Sequence, residues 1–376
     1  MTIAVLYGGK SGEHEVSLVS AASVARNIDS RKYTIVLIGI TKDGRWYFQN
    51  KAELDRILKD QKASFKVHED ESKAVSVIPG GGMNAFCAGG KPVRIDVMFP
   101  VLHGTYSEDG TIQGLFEMAD IPYVGCGVMA SSVTMDKEKT KQIWQQAGLP
   151  VVPYICMKRC DLMDSHIYDS MFENAIQMLG FPLFVKPCCG GSSNGASKAT
   201  SEKELSVALM DAFKWDDKVL IEKAINAREV ECSVTGNAVT APAESRTEAV
   251  QAYGPGEIIP SHTFYDYDAK YNDPNGAALK IPANLSEDML KKVRDTAAAA
   301  YKALDASGLS RVDFFIDKDS GKLYLNEINT IPGFTSISMF PKMCEYGNLP
   351  FPKLTDLLID EAVKRYKAHA ALQTSR

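Results

Sequence analysis

The stretch Ser310-Arg-Val-Asp-Phe-Phe-Ile-Asp-Lys-Asp-Ser-Gly-Lys-Leu-Tyr-Leu-Asn-Glu-Ile-Asn-Thr-Ile-Pro-Gly333 decides how the rest of the chain is read. Two apolar segments, Val312–Ile316 and Leu323–Leu325, flank a turn built on Asp319, Ser320 and Gly321, the pattern of a β-hairpin. Asp313 opens the first strand, while Glu327 and Asn329 close the second. Side chains alternate between the faces of a strand, so Glu327 and Asn329 share one face. Arg311, two residues before Asp313, puts a fixed positive charge on that same face. Three oxygen donors without sulfur or imidazole suit a hard cation such as Mg²⁺ that holds phosphates. An acidic strand alone reads as a solvated hairpin. Arg311, Asn329 and the Pro332-Gly333 turn together make it a site.

Composition narrows the classes. The chain has 376 residues, too many for one simple core, so two or three domains are expected. A net charge of −5 speaks against a nucleic acid or an anionic membrane as the main partner. No apolar run reaches the roughly 20 residues needed to span a bilayer, and Met1 leads almost directly into a strand rather than a signal peptide. Eight scattered Cys without a C-x-x-C pair fit free thiols in a reducing cytoplasm better than disulfides or a zinc site.

Working back to the N-terminus, Thr2–Tyr7 reads as a strand running into Gly8-Gly9, followed by a helix from about Glu15 to Ile28. Strand, glycine turn and helix start form an anion-binding arrangement common in α/β proteins. Tyr33–Ile40 and Ile95–Leu102 read as further strands, separated by a polar excursion at 49–92 that looks like an insertion on the sheet edge. A first domain of residues 1–127 is expected. Ala130–Gln146 reads as one helix, stopped by Gly148-Leu-Pro. Strands at Val151–Met157, Pro182–Lys186, Ala196–Ala199 and Val219–Lys223, with helices near 170–179 and 202–214, complete a second domain at 128–227. The third, 228–376, holds a strand at Val230–Thr235, a Tyr-rich loop at 264–274, helices at 287–305 and 354–370, and the hairpin.

Lys186-Pro-Cys-Cys-Gly-Gly-Ser192-Ser193-Asn-Gly-Ala-Ser-Lys198 follows an apolar strand. Its glycines and serines can bring backbone N–H groups and hydroxyls to phosphates, and its lysines add charge. It is no Walker loop, and the first turn carries neither that motif nor G-x-G-x-x-G. Val219–Ile225 is an apolar strand turning polar at its end; such a segment can read adenine with backbone groups while Glu229 takes ribose hydroxyls.

Taken in order, Gly8-Gly9-x-Ser11-x-Glu13, Leu102-His103-Gly104, Gly110-Thr-Ile-Gln-Gly114, Tyr123-Val-Gly-x-Gly127, Met135-Asp-Lys137, Lys186-Pro, Gly191-Ser192-Ser193, Phe264-Tyr-Asp-Tyr-Asp-Ala-Lys270-Tyr271 and Asn326-Glu-Ile-Asn-Thr-x-Pro-Gly333 resemble the D-alanine–D-alanine ligases of the ATP-grasp superfamily. The resemblance covers nearly the whole chain, apart from 49–92 and the C-terminal tail. It implies an α/β, three-domain ATP-grasp fold with ATP gripped between the second and third domains. The implied reaction joins two D-alanines through a D-alanyl phosphate for cell-wall precursor synthesis, with ATP and two Mg²⁺ ions (Mn²⁺ being an alternative). A homodimer is also implied.

By matched position, Lys137, Lys186, Ser192, Ser193 and Lys270 would touch the nucleotide phosphates. Glu222, Lys223 and Ile225 would line the adenine pocket, and Glu229 the ribose. Asp313, Glu327 and Asn329 would carry the metal ions. Arg311 and the Gly333 backbone N–H would hold the oxyanion of the tetrahedral intermediate. Glu13 would bind the first D-alanine with His103 nearby, while Ser338 and Met339 would shape the second site. Glu13, Ser192 and Tyr271 would form a triad across the acceptor site, with Lys270 on a loop that closes over the γ-phosphate. These roles are physically coherent: a carboxylate attacking a polyphosphate needs cations between like charges, and an acyl phosphate must be kept from water.

Cys188, Cys189 and Gly190 depart from the larger polar residues that relatives often carry in the phosphate loop. Other readings are a nucleotide sensor without turnover, a P-loop or Rossmann module, and a ligase joining D-alanine to D-lactate or D-serine. Retention of Arg311 with all three metal candidates disfavours the sensor, because a pure binder needs no oxyanion cation.

Overall fold

The computed structural model describes residues 1–191, 194–237, 239–240, 249–260 and 277–373. The first part of the chain forms β1 (Thr2–Gly8), α1 (His14–Asn27), β2 (Thr34–Ile40), β3 (Trp46–Phe48), α2 (Lys51–Lys59), β4 (Val75–Val77), β5 (Phe86–Ala88), β6 (Lys91–Pro92), β7 (Val97–Pro100) and α3 (Thr111–Ala119). β1 is apolar on both faces because it lies inside a sheet of order β3-β2-β1-β7, parallel to β2 and β7, with protein on either side. Ile3, Val5 and Tyr7 join one buried cluster, and Ala4 and Leu6 another.

The excursion at 49–92 follows the β3 edge, where a Tyr47–Ala74 bridge attaches the small sheet β4-β5-β6. It is less polar in structure than in sequence. Phe65 stacks on Tyr7 at 4.5 Å, and Phe86 is buried in the cluster that holds Phe116.

Next come α4 (Val128–Met135), α5 (Lys137–Gln146), β8 (Tyr154–Lys158), α6 (Ser165–Leu179), β9 (Leu183–Pro187), β10 (Ser197–Ala199), α7 (Glu202–Ala212) and β11 (Lys218–Lys223). The single helix expected over Ala130–Gln146 is two. Asp136 leaves helical geometry and its carboxylate accepts from the Lys139 N–H, so it caps α5 and starts that helix at Lys137. The strands form an antiparallel sheet of order β10-β9-β11-β8.

The third sheet, β14-β13-β12-β15-β16, comprises β12 (Ala227–Gly236), β13 (Val250–Pro260), β14 (Ala277–Lys280), β15 (Gly308–Asp317) and β16 (Leu323–Asn329). The helices α8 (Glu287–Ala303), α9 (Met339–Tyr346) and α10 (Phe351–Ala370) belong to the same part of the chain. β13 escaped the sequence reading because Gly254, Pro255 and Gly256 in its middle look like a turn.

Packing ignores chain order. α10 buries Leu354, Leu358 and Ile359 in the cluster of Ile3 and Val5, and the Arg365 guanidinium lies 4.2 Å from the centre of the Tyr123 ring. Trp144 of α5 is fully buried and donates to the Ala300 carbonyl of α8 at 3.1 Å. The eight cysteines are free, as their spacing suggested.

Candidate active site

The hairpin register sets out the first half of the site. Arg311 pairs with Asn329 and Asp313 with Glu327 across β15 and β16, so all four side chains project from one face. A bulge after Asp313 leaves Asn326 as the extra residue of β16. The opposite face carries Val312, Phe314 and Ile316 into the core. Arg311 donates to both Asp313 carboxylate oxygens at 2.7 and 2.6 Å and lies 3.1 Å from Glu231 on β12. Burial opposes the guanidinium charge, but Asp313 and Glu231 outweigh it and hold Arg311 firmly protonated. Asn329 Nδ2 donates to Asp313 at 3.0 Å.

Two lysines from the second sheet and its flanking helix converge on this hairpin. Lys137, the first residue of α5, lies 3.6 Å from Glu327 and donates to the Gly190 carbonyl at 2.7 Å. Lys186, on β9, donates to Asn326 Oδ1 at 3.0 Å and is 2.8 Å from Glu222 Oε2. Glu222, on β11, is almost completely buried and meets a second ammonium, Lys141 of α5, at 2.8 Å. Its carboxyl stays below the usual range: burial pushes it up, but Lys141 and Lys186 pull harder. The Glu222 side chain therefore serves the lysines, and an adenine base could read only backbone at this position.

The far side of the site belongs to the first sheet. Glu13 sits at the N-terminus of α1, where the helix dipole favours a carboxylate. Gly104, at a φ of +75°, leaves it room: a Cβ there would stand 2.9 Å from Glu13 Oε2, and one at Gly191 would stand 3.4 Å away. Glu13 thus lies between the turn after β7 and the glycine-serine loop that follows β9. His103 is buried with both ring nitrogens engaged, Nδ1 at 3.0 Å from the Ile331 carbonyl and Nε2 at 3.2 Å from Ser20 Oγ. A carbonyl can only accept, so Nδ1 carries the proton and Nε2 accepts from the serine. Burial, more than Glu13 can offset, pushes its pKa down. His103 is thereby a strut under the 331–334 turn, and its ring offers no free nitrogen to a substrate.

Glu108 went unnamed in the sequence reading, although it sits just before the Gly110–Gly114 motif. Its carboxylate accepts from the Gly104 and Ile331 N–H groups, both at 2.9–3.0 Å. Burial first, and then Glu13, raise its pKa to about 7. Ser20 is a second omission; its hydroxyl also accepts from the Phe334 N–H at 3.2 Å. Only its place on the inner face of α1 hinted at this.

The remaining candidates are placed as follows. Ser338 caps the 333–338 turn, accepting from the Thr335 N–H at 2.9 Å, and a Cβ on Gly333 would meet its Oγ at 2.7 Å. Met339 is buried beside Ile258 and Met343 and fills the space over Gly256, so its side chain belongs to the core and not to a substrate pocket. Lys223 is exposed and donates to the Leu179 carbonyl, while Ile225 lies half-buried between β11 and β12. Glu229 lines a cavity of about 370 Å³ with Arg228, Glu257, Ile258, Lys280 and Lys318. Ser192, Ser193, Lys270 and Tyr271 lie outside the described residues.

Among the described residues, no three His, Cys, Asp or Glu side chains are grouped to hold a metal. The donor set on the hairpin is two carboxylates and an amide oxygen on one face, and this oxygen-only set fits a hard divalent ion. Together with the two lysines that converge on the hairpin and the second and third sheets, it defines an ATP-grasp ligase.

Comparison with known proteins supports this class. Family models described as the D-ala D-ala ligase N-terminus and C-terminus match residues 2–126 and 143–360. The chain is 55% identical to a D-alanine–D-alanine ligase of Treponema denticola over the full length of both, and 45% identical to that of Acetivibrio thermocellus over 97% of this chain and 96% of the relative. Among solved structures, the D-alanine–D-alanine ligase of Coxiella burnetii superposes with a TM-score of 0.80 at 33% identity, covering 98% of this chain and 97% of that one. The D-Ala:D-Ser ligase VanG of Enterococcus faecalis gives 0.79 at 36%, covering 96% and 99%. The chain belongs to the D-alanine–D-alanine ligase family.

Proposed function

We propose that this protein joins two D-alanines to D-alanyl-D-alanine at the expense of ATP, through a D-alanyl phosphate, to build the peptide end of a cell-wall precursor. The observation that carries this reading is the meeting of Lys137 and Lys186 with the hairpin that holds Arg311, Asp313, Glu327 and Asn329. Phosphate binding and charge neutralisation for phosphoryl transfer then fall in one place. Asp313, Glu327 and Asn329 would hold two Mg²⁺ ions, or Mn²⁺, which when bound neutralise the transferring phosphoryl group.

Arg311 and the Gly333 N–H would stabilise the oxyanion once the acceptor amine adds to the acyl phosphate. Glu13 would orient the first D-alanine through its ammonium group. Ser192 and Tyr271 would complete a hydrogen-bonded triad with Glu13, and Lys270 would close over the nucleotide. The chain would divide near residues 127 and 227, one main sheet to each part, and would work as a cytoplasmic homodimer. No helix among the described residues is long and apolar enough to cross a membrane.

The test is phosphate release with ATP, Mg²⁺ and a panel of D-amino and D-hydroxy acids. D-alanine alone should support turnover. Release that needs D-serine as second substrate would move the chain to the activity named for VanG, and no release with any acid would leave a nucleotide-binding protein.

A further inference from the structure

The buried group Lys141–Glu222–Lys186 has one more ammonium than the proposed chemistry uses. Glu222 presents one carboxylate oxygen to each lysine at 2.8 Å, and Lys141 is wholly enclosed while Lys186 looks toward the hairpin through Asn326. Had Glu222 met Lys186 alone, the pair would be neutral, and the lysine's charge toward an incoming phosphate would be cancelled at close range. Burial lowers the Lys141 pKa while Glu222 opposes the shift; with both lysines protonated, three charges in this order leave a net of +1 on the triad. That excess falls on Lys186, the less enclosed of the two lysines, because Lys141 is sealed behind Glu222 and beside the Tyr154 ring, 5.8 Å from its centre. A buried lysine is costly unless it is paired, so its presence here calls for a role.

We infer that Lys141 is a positioning residue for nucleotide binding: it takes up the Glu222 charge so that Lys186, held in place by Glu222 and Asn326, keeps its own charge for the nucleotide phosphates. This rests on the proposed use of ATP but not on the identity of the acids joined.

The inference is tested on the full-length protein by calorimetric titration with ATP and, separately, with adenosine, which has no phosphates. Lys141→Met leaves Glu222 to neutralise Lys186, and ATP affinity should fall roughly ten- to a hundred-fold while adenosine affinity stays within a few-fold. Lys141→Met combined with Glu222→Gln restores the net of +1. It should bind ATP markedly more tightly than Lys141→Met alone, within a few-fold of the parent.

Equal loss of ATP and adenosine binding would mean that Lys141 merely shapes the base pocket. A double variant no better than the single one would remove the charge argument. If Lys141→Met does not fold, the double variant decides alone, since no buried carboxylate charge remains beside Lys186. Normal ATP affinity there supports compensation, and a ten-fold loss with intact adenosine binding overturns it. Failure of the ligase reading would appear differently, as normal ATP binding without phosphate release from D-alanine.

Discussion

β1 and β15 are both interior strands, and they are built on opposite principles. β1 is apolar at every position from Ile3 to Tyr7, and its two faces enter two different cores. β15 alternates: Val312, Phe314 and Ile316 enter the core, while Arg311 and Asp313 face the site. A parallel strand covered on both sides has only packing to contribute, whereas an antiparallel strand with one open face can divide packing from chemistry residue by residue. Stability and activity should therefore separate cleanly between the two.

The largest effect is expected on β15 and its partner β16. Asp313→Ala or Glu327→Ala should lower D-alanine-dependent phosphate release by about 10³-fold or more at saturating Mg²⁺. Stability should change little in Glu327→Ala, whereas Asp313→Ala also removes the acceptor of two hydrogen bonds from the buried Arg311 and should cost stability besides. Denaturant midpoints measured beside the rates check this, and loss of stability together with activity in Glu327→Ala would break the contrast.

On β1 the outcome should be reversed. Leu6→Ala opens a cavity in a fully buried cluster and should cost about 2–5 kcal/mol of stability. The rate per folded molecule should hardly change. A large fall in kcat for the folded fraction would show that the first sheet does more than support the site.

A third experiment sharpens the side of the comparison that carries specificity. Tyr271→Phe removes a hydroxyl proposed to close a triad with Glu13 and Ser192, and a hydroxy acid has no ammonium to lose. The product ratio should move toward D-lactate ligation by roughly ten- to a hundred-fold, most visibly below pH 7. An unchanged ratio from pH 6 to 9 would remove Tyr271 from specificity.

The last prediction concerns Glu108, whose carboxylate links the Gly104 and Ile331 backbones. Its folded pKa of about 7 lies above the model-compound value of 4.5, so the folded chain binds the extra proton between these values. The stability it contributes is complete below about pH 4.5 and is lost as pH rises through 7. Glu108→Gln should flatten that part of the curve. The amide can accept through only one atom, so it forfeits one of the two backbone hydrogen bonds as a pH-independent offset. Thermal midpoints of both proteins from pH 5 to 8 measure this, and parallel curves would show that Glu108 does not titrate there.

How much of this could be read from sequence varies with distance along the chain. The hairpin and its functional face were legible because a strand repeats every two residues, and the turn at Asp319–Gly321 places the second strand opposite the first. The helix expected over Ala130–Gln146 failed at Asp136, where a local cap outweighed a continuous helical pattern. β13 was hidden by Gly254, Pro255 and Gly256, residues that mark turns in most contexts but here sit inside a strand.

By itself, then, the sequence determined the hairpin, its single polar face, the glycine-serine loop beside Lys186 and the ordered motifs that mark the family. These depend on neighbours a few residues apart, where backbone periodicity dictates direction. Only the tertiary structure decided that Lys141 and Lys186 share Glu222, that His103 braces Ile331 through its protonated Nδ1, and that α10 packs on the first sheet. Those pairings join distant parts of the chain. They follow from which charges and apolar faces must be buried together once the sheets assemble, and no local spacing encodes that choice.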